Sequence, residues 1–140
     1  MFKEMASKKA YRLLEFGPTV MVTTRAGDGT PNVVTIGFRV MMQHVPALIG
    51  AVLGPWDHSF RALRESAECV IAVPTIDLAQ KVVDVGNCSG TQLDKFEVFG
   101  LTTMPSRHLM DRRSLCRGNA GASVAIASID SRREAIVRIV

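Results

Sequence analysis

The chain has 140 residues, 47% apolar and 21% charged, which predicts one globular domain large enough to bury a core. No apolar run reaches the ~18 residues needed to span a bilayer, and the start, MFKEMASKK, lacks the apolar segment of a secretory signal. The cysteines Cys69, Cys88 and Cys116 are widely spaced and odd in number, which favours free thiols in a reducing compartment. We therefore expect a cytoplasmic protein with no membrane partner.

The net charge of +4 is concentrated at the C-terminal end. Residues 1 to 106 contain ten basic and ten acidic residues, whereas residues 107 to 140 contain seven arginines and three acidic residues. A nucleic-acid-binding domain carries a basic patch on its folded body. The body of this chain has no excess of basic residues, so we expect no nucleic-acid partner.

A short helix and a β-hairpin are the first elements predicted along the chain. KKAYRLLEFG places Tyr11 and Leu14 on one helical face and stops at Gly17-Pro18. TVMVTTRA and NVVTIGFRVMM are rich in β-branched residues and flank the turn signal GDGTPN. Two such runs around a Gly/Asp turn predict a hairpin.

Short strands and helices alternate through the middle of the chain. HVPALIGAVLG predicts a strand that is buried on both faces or bent at Gly50. HSFRALRES predicts a helix with Ser59 as candidate N-cap, ECVIAVP predicts a strand, and TIDLAQKVVDVG predicts a helix from Thr75 to Gly86. Because strands outnumber helices and no βαβ rhythm is present, we predict a mainly β fold with short helices, arranged as an antiparallel barrel.

Motifs for other chemistries are absent from the sequence. There is no GxGxxG, no phosphate-binding P-loop and no nucleophile elbow. His44, His58 and His108 are scattered, without metal-ligand spacing to another His or Cys. We therefore predict no metal site and assign no catalytic acid, base or nucleophile.

Four segments, taken in order, resemble the flavin reductase-like family: SFRAL, ECVIAVPT, LAQKV and SGTQLDKFEVFGLT. The resemblance covers about residues 10 to 106. It implies the FMN-binding split barrel, an antiparallel Greek-key barrel of the flavoredoxin type, incomplete here at its C-terminus. It also implies a homodimer with FMN near the subunit interface and, for many relatives, NADH or NADPH as co-substrate.

Two segments match the family's contacts to the flavin ring and phosphate. VTIGF would run along the isoalloxazine edge, where Thr35, Ile36 and Gly37 offer backbone hydrogen bonds; an ordinary strand with a bulge at Gly37 is the alternative. PWDHSF would hold the phosphate through His58, Ser59 and the amides that follow Ser59 at a helix N-terminus. Relatives often carry a cation where this chain has a tryptophan.

Trp56 occupies that position, and Arg61 is the candidate replacement for the missing cation. Trp56 itself is alternatively an anchor of the dimer interface. His58 is alternatively a plain loop residue before the helix. The phosphate site therefore departs from the family pattern by one charge.

The segment GNCSGTQLDKF borders the flavin in relatives. Asn87 and Ser89 would supply turn hydrogen bonds, and Lys95 is the candidate cation for the phosphate or the pyrimidine end of the ring. A structural loop with an exposed ion pair is the alternative. Cys88 is either a small loop residue or a redox-active thiol.

The function that the resemblance implies is an FMN-binding oxidoreductase. It would pass reducing equivalents from NADH or NADPH through the flavin to an acceptor, with the flavin supplying the chemistry. The alternatives are a flavin-binding module without turnover and an inactive, truncated homologue.

Residues 107 to 140 depart from the family and form a second predicted unit beside residues 1 to 106. SVAIASI predicts a strand, and REAIVRIV a strand or a short helix. The segment is explained by a shifted reading frame, by a genuine short variant with a divergent C-terminus, or by a basic arm for an acidic partner. The loss of barrel strands would expose strand edges.

The arginines of residues 107 to 140 make the docking of this segment testable by limited trypsin digestion. An Arg-rich segment with few large apolar residues gains too little from burial to offset the entropy lost on ordering. We expect rapid cleavage between Arg107 and Arg138, with a resistant core that ends near Pro105. A segment that survives as long as ECVIAVP would contradict this expectation.

Overall fold

The computed structural model describes residue 9, residues 19–44 and 48–105, and the strands 113–115, 122–130 and 135–139. Side chains are described as far as Thr103. The entry helix predicted in KKAYRLLEFG lies outside the described residues, apart from Lys9. No helix in the described part of the chain is long and apolar enough to cross a membrane.

Nine antiparallel strands are present among the described residues. They are β1 (Val20–Arg25), β2 (Pro31–Ile36), β3 (Arg39–Gln43), β4 (Leu48–Ala51), β5 (Cys69–Val73), β6 (Thr103–Pro105), β7 (Arg113–Leu115), β8 (Ala122–Asp130) and β9 (Ala135–Ile139). Seven form one sheet in the order β2-β1-β5-β8-β9-β4-β3, and β6 pairs with β7. The predicted hairpin is confirmed, because β1 pairs with β2 from Val20↔Ile36 to Arg25↔Pro31.

Three short α-helices lie between the strands: α1 (His58–Ser66), α2 (Ala79–Gly86) and α3 (Lys95–Val98), with a 3-10 turn at Ile76–Leu78 before α2. The N-cap of α1 is Asp57, so the expectation of Ser59 as N-cap is wrong. The reason is local: the turn that starts the helix is closed by the bond from the Phe60 amide to the Asp57 carbonyl.

The connection between β2 and β3 shows that the sheet is rolled up. These strands stand at opposite ends of the sheet order, yet only Gly37 and Phe38 join them. Three Cα–Cα steps of ~3.8 Å span at most about 11 Å, so the two ends of the sheet must lie side by side. The run NVVTIGFRVMM is thus two strands that change direction at Gly37, and the predicted antiparallel barrel is confirmed.

Strand β1 is buried on both faces, which explains the three consecutive apolar residues at its start. Val20 and Val22 belong to a cluster with Leu63 of α1, while Met21 faces α2 and α3. The second cluster is formed by Met21, Val33, Val82, Val85, Phe96 and Leu101. Val82, Val85 and Phe96 are all buried in it.

The C-terminal strands belong to the same sheet as the body. β8 pairs with β5 on one side and with β9 on the other, and β9 pairs with β4. The strand predicted in SVAIASI and the strand alternative for REAIVRIV are therefore observed. The unit boundary at residue 106 and the weak docking of this segment stay predictions.

Candidate flavin and phosphate site

Asn32, near the start of β2, is the point where two predicted site segments meet. Its Nδ2 donates a hydrogen bond of 2.8 Å to Ser59 Oγ in the first turn of α1. On its other side lies Gly90, where an added Cβ would come within 2.3 Å of Asn32 Oδ1. The sequence analysis placed PWDHSF and GNCSGTQLDKF near one ligand, and the structure brings both into contact with one buried side chain.

The loop after α2 follows β2 between two glycine contacts. At Gly86 an added Cβ would lie 3.5 Å from Thr35 Cβ, an ordinary contact, whereas at Gly90 the approach to Asn32 leaves no room for a Cβ. Thr35 Oγ1 also donates to the Val82 carbonyl of α2 at 2.7 Å. The loop and the strand therefore form two sides of one region that extends along β2.

The N-terminus of α1 has the chemistry of an anion site. Its N-cap Asp57 makes no side-chain capping bond, and the first turn contains no acidic residue. The Asp57 carboxylate instead accepts from the Gly54 amide at 2.8 Å. The N-cap side chain thus makes no hydrogen bond to the first turn, which leaves the helix start open to an anion, while the Asp57 carboxylate places a negative charge at the same helix end.

Ser59 and His58 are both set into this helix start. Ser59 is only 1% exposed, and its Oγ accepts from Asn32 Nδ2 and, at 3.3 Å, from Thr24 Oγ1. His58 Nδ1 is buried and has no hydrogen-bond partner among the described residues. An unpaired buried polar atom costs about 1–3 kcal/mol, so His58 has an unfilled hydrogen-bonding position beside the helix terminus. Arg61 is exposed on the same helix.

Lys95 is buried, so the alternative of an exposed ion pair for this segment is wrong. Only 4% of it is exposed, and Nζ donates to the Val85 carbonyl at 2.9 Å. Burial lowers the pKa of the ammonium, and the nearby Cys88 and Asp57 partly oppose that effect. Lys95 thus connects α2 electrostatically to the N-cap of α1, and its contact with a phosphate stays a prediction.

The remaining loop residues shape the chain around these contacts. The Asn87 amide donates to the Val83 carbonyl at the end of α2, and Ser89 Oγ lies 2.8 Å from Thr91 Oγ1. Asp94 caps α3 by accepting from the Phe96 amide at 2.8 Å. Their ordinary turn and cap bonds hold the loop in shape, and a role toward the flavin stays a prediction.

Residues at the far end of β2 have different surroundings. Ile36 is buried in the barrel core, and Gly37 is exposed, with nothing within 4 Å of an added Cβ. A larger residue such as serine would therefore fit at position 37. The surroundings of Gly37 impose no steric need for glycine. Gly37 lies five residues beyond Asn32, about 16 Å along an extended strand. Thr35, Ile36 and Gly37 thus lie toward the opposite end of the region from Ser59.

Asn32 and Thr24 were missed by the sequence analysis. Both are buried polar residues on neighbouring strands, and they face each other in the β1–β2 pairing. One sequence signal pointed to Asn32: asparagine is disfavoured in strands, yet it directly precedes the β-prone run VVTI. Such a residue indicates a specific polar contact.

The two free thiols among the described residues, Cys69 and Cys88, have different surroundings. Burial raises the pKa of Cys69 to about 12, which makes that thiol unreactive at neutral pH. Cys88 is half-buried in the loop. In the described residues, no group of three or more His, Cys, Asp or Glu side chains is placed to hold a metal ion.

Comparison with known proteins shows which family and which fold the chain matches. Residues 15–132 match the family model of the flavin reductase like domain. An uncharacterised protein of Archaeoglobus fulgidus is 34% identical over 82 residues, which is 59% of this chain and 46% of that protein. The match to an uncharacterised protein of Pyrococcus abyssi covers 56% of that protein. The chain thus spans about half the length of the curated relatives that it matches.

Solved structures share the fold. An FMN-binding domain of a flavin reductases-like enzyme from Shewanella baltica superposes with a TM-score of 0.88 at 24% identity, over 97% of this chain and 73% of that one. Flavoredoxin of Desulfovibrio vulgaris gives 0.79 at 23% identity, over 88% and 67%. The predicted split barrel is confirmed.

Lys95 gives the site a pH-dependent test. Because burial lowers its pKa from 10.5, the unfolded chain binds this proton more tightly than the folded chain. Stability contributed by Lys95 therefore rises with pH between its folded pKa and 10.5, and is constant below that interval. We expect the free energy of unfolding of the wild type, minus that of Lys95→Met, to increase as pH rises toward 10.5. Urea titrations of both proteins at several pH values measure this difference in unfolding free energy. A difference that does not change with pH would contradict a lowered pKa for Lys95.

Proposed function

The chain belongs to the flavin reductase like domain family, and on that premise we propose that it binds FMN and passes reducing equivalents from NADH or NADPH to an acceptor. The observation that carries the proposal is the contact of two segments, α1 and the loop at Gly90, with Asn32. Helix termini and glycine loops of this kind suit a phosphorylated, flat ligand.

The residues at the helix end of the region fit a phosphate. The start of α1 is not capped by a side chain, His58 Nδ1 has no partner among the described residues, and Arg61 is exposed nearby. These groups supply a helix dipole, an unfilled hydrogen-bonding position and a positive charge. Arg61 thereby provides the cation that Trp56 does not.

The other end of the region fits the flavin ring through the backbone. The side chains of Thr35 and Ile36 are engaged with the protein, so a flavin ring would use the main-chain groups of this segment that are not bonded to β1. Gly37 adds an exposed main-chain position with open space beside it. When bound, FMN supplies the hydride-accepting ring; the chain orients it, and no proton donor or acceptor is required of a side chain.

A second copy of the chain completes the proposal, because an apolar stripe begins beside Gly37. Phe38 is 80% exposed, Val52 64%, Val40 60% and Met42 53%. Val40 and Met42 lie on β3, which stands at one end of the sheet order, and the Val52 amide donates to the Phe38 carbonyl at 2.9 Å. Large exposed apolar patches mark interaction surfaces. We therefore propose a homodimer with this stripe at the interface, near the flavin ring.

Flavin binding and turnover are tested separately. We expect the purified chain to acquire the visible absorption of bound FMN on titration, and to oxidise NADH or NADPH in the presence of FMN and an acceptor. Binding without nucleotide oxidation would support the module without turnover. No bound flavin after incubation with excess FMN would reject the proposal for this chain.

Ser59 gives a test of where the phosphate lies. Since a hydrogen bond to a charged group is worth about 1.5–3 kcal/mol, we expect Ser59→Ala to weaken FMN binding about ten- to a hundredfold. Riboflavin, which lacks the phosphate, should lose much less. Ser66→Ala, at the other end of α1, is the matched control and should leave both affinities unchanged. Equal losses of FMN and riboflavin affinity in Ser59→Ala would place the phosphate elsewhere.

A further inference from the structure

Trp56 is the chain's single tryptophan, and its side chain lies mostly in solvent. It is 81% exposed, although tryptophan is on average a well-buried residue. Packing within the described part of the chain gives no reason for this position. The proposed function does not use the indole either, since Arg61 is the cation assigned to the phosphate.

The backbone that carries Trp56 is held by two hydrogen bonds. The Asp57 amide donates to the Gly54 carbonyl at 2.9 Å, and the Gly54 amide donates to Asp57 Oδ2 at 2.8 Å. Leu53, directly before this turn, is buried in the barrel core, and Asp57 is the N-cap of α1. The turn is therefore anchored at both ends, and Trp56 has a fixed place on it.

One face of the indole lies against Gly54. An added Cβ at Gly54 would stand 2.2 Å from Trp56 Cε2, 2.4 Å from Cζ2 and 2.7 Å from Nε1. Cε2 is set back between Cζ2 and Nε1, so an approach in the plane of the ring would bring one of those two atoms closest. Gly54 therefore meets the ring on a face, and the high exposure of Trp56 leaves the opposite face open to solvent.

The open indole face adjoins the start of α1. Only Asp57 separates Trp56 from His58, whose Nδ1 has no hydrogen-bond partner among the described residues. An aromatic side chain stacks on a planar base of any kind, and a helix start suits a phosphate. A ligand that uses both features carries a planar base joined to phosphate groups, which is the chemistry of a nucleotide.

We propose that Trp56 is a stacking platform for the adenine of a dinucleotide whose diphosphate lies beside the start of α1. The inference rests on the proposed function and extends it, because FMN has no second base. Two ligands carry the required chemistry. They are FAD, in place of FMN, and the NADH or NADPH that would reduce the flavin.

The single tryptophan makes stacking directly measurable without a flavin. We expect ADP, which carries the base and the diphosphate, to quench the fluorescence of Trp56 on titration. Inorganic pyrophosphate, which lacks the base, should not quench it. In Gly54→Ala the added Cβ displaces the ring, so half-maximal quenching should need about tenfold more ADP, the loss of one stacking contact.

Gly27→Ala is the matched control for the glycine change. An added Cβ there first meets the end of the Glu65 side chain, at 3.4 Å, so the response to ADP should stay at the wild-type value. Urea unfolding of each variant checks that it is folded. If Gly54→Ala does not fold, Trp56→Ala decides through the affinities below.

Binding and kinetic constants of Trp56→Ala distinguish the two sources of the adenine. If FAD supplies it, FAD binding weakens about tenfold and FMN binding less than about twofold, while Trp56→Phe keeps most of the FAD affinity. If the nicotinamide nucleotide supplies it, KM for NADH or NADPH rises about tenfold, and KM for reduced nicotinamide mononucleotide, which lacks adenine, stays unchanged. Ile76→Ala removes another apolar side chain, 91% exposed, and should change none of these constants.

Failure of this inference and failure of the proposed function give different results. A wild type that binds FMN but is not quenched by ADP, with no adenine-dependent change in Trp56→Ala, would overturn the platform alone. Dissociation of a dimer in Trp56→Ala, with all nucleotide constants unchanged, would make Trp56 an interface anchor and also overturn the platform. A wild type that is quenched by ADP and binds no flavin would reject the proposed function and support the adenine site.

Discussion

The two-residue connection at Gly37 and Phe38 is the constraint on which the rest of the structure depends. It joins the strands at opposite ends of the sheet order, so the sheet must close on itself. Closure buries one face of β1 and β2 inside the barrel, while α2 and α3 cover the other face. It also leaves β2 as a strand that runs from Asn32, beside the start of α1, to the exposed main chain at Gly37.

Several polar groups that are buried where these elements meet have partners that orient them. Asn32, Ser59 and Thr24 share hydrogen bonds between the sheet and α1, and Lys95 donates to Val85 beside them. Buried polar groups without partners are costly, so such a cluster fixes the relative positions of its segments. His58 Nδ1 is the group near this cluster that has no partner within the described residues. A ligand phosphate at the start of α1 gives a physical account of that position.

Local sequence patterns were enough to predict the hairpin and the strand ECVIAVP, because runs of β-branched residues and a Gly/Asp turn decide them. The split of NVVTIGFRVMM was not predictable in this way, since barrel closure, not local propensity, bends the chain at Gly37. Lys95 is buried through a tertiary contact with Val85 that its neighbours in sequence do not reveal. Family resemblance named Ser59, but only the fold shows that it is held by Asn32, which lies 27 residues earlier in the chain.

A crystal structure of the chain with FMN tests the central claim most directly, because the claim assigns the two ends of the ligand to the two ends of β2. The account predicts the phosphate at the first turn of α1, within hydrogen-bonding distance of Ser59, and the ring extending along β2 toward Gly37. A phosphate bound away from α1, with the Asn32–Ser59 bond intact and the helix start unoccupied, would contradict it.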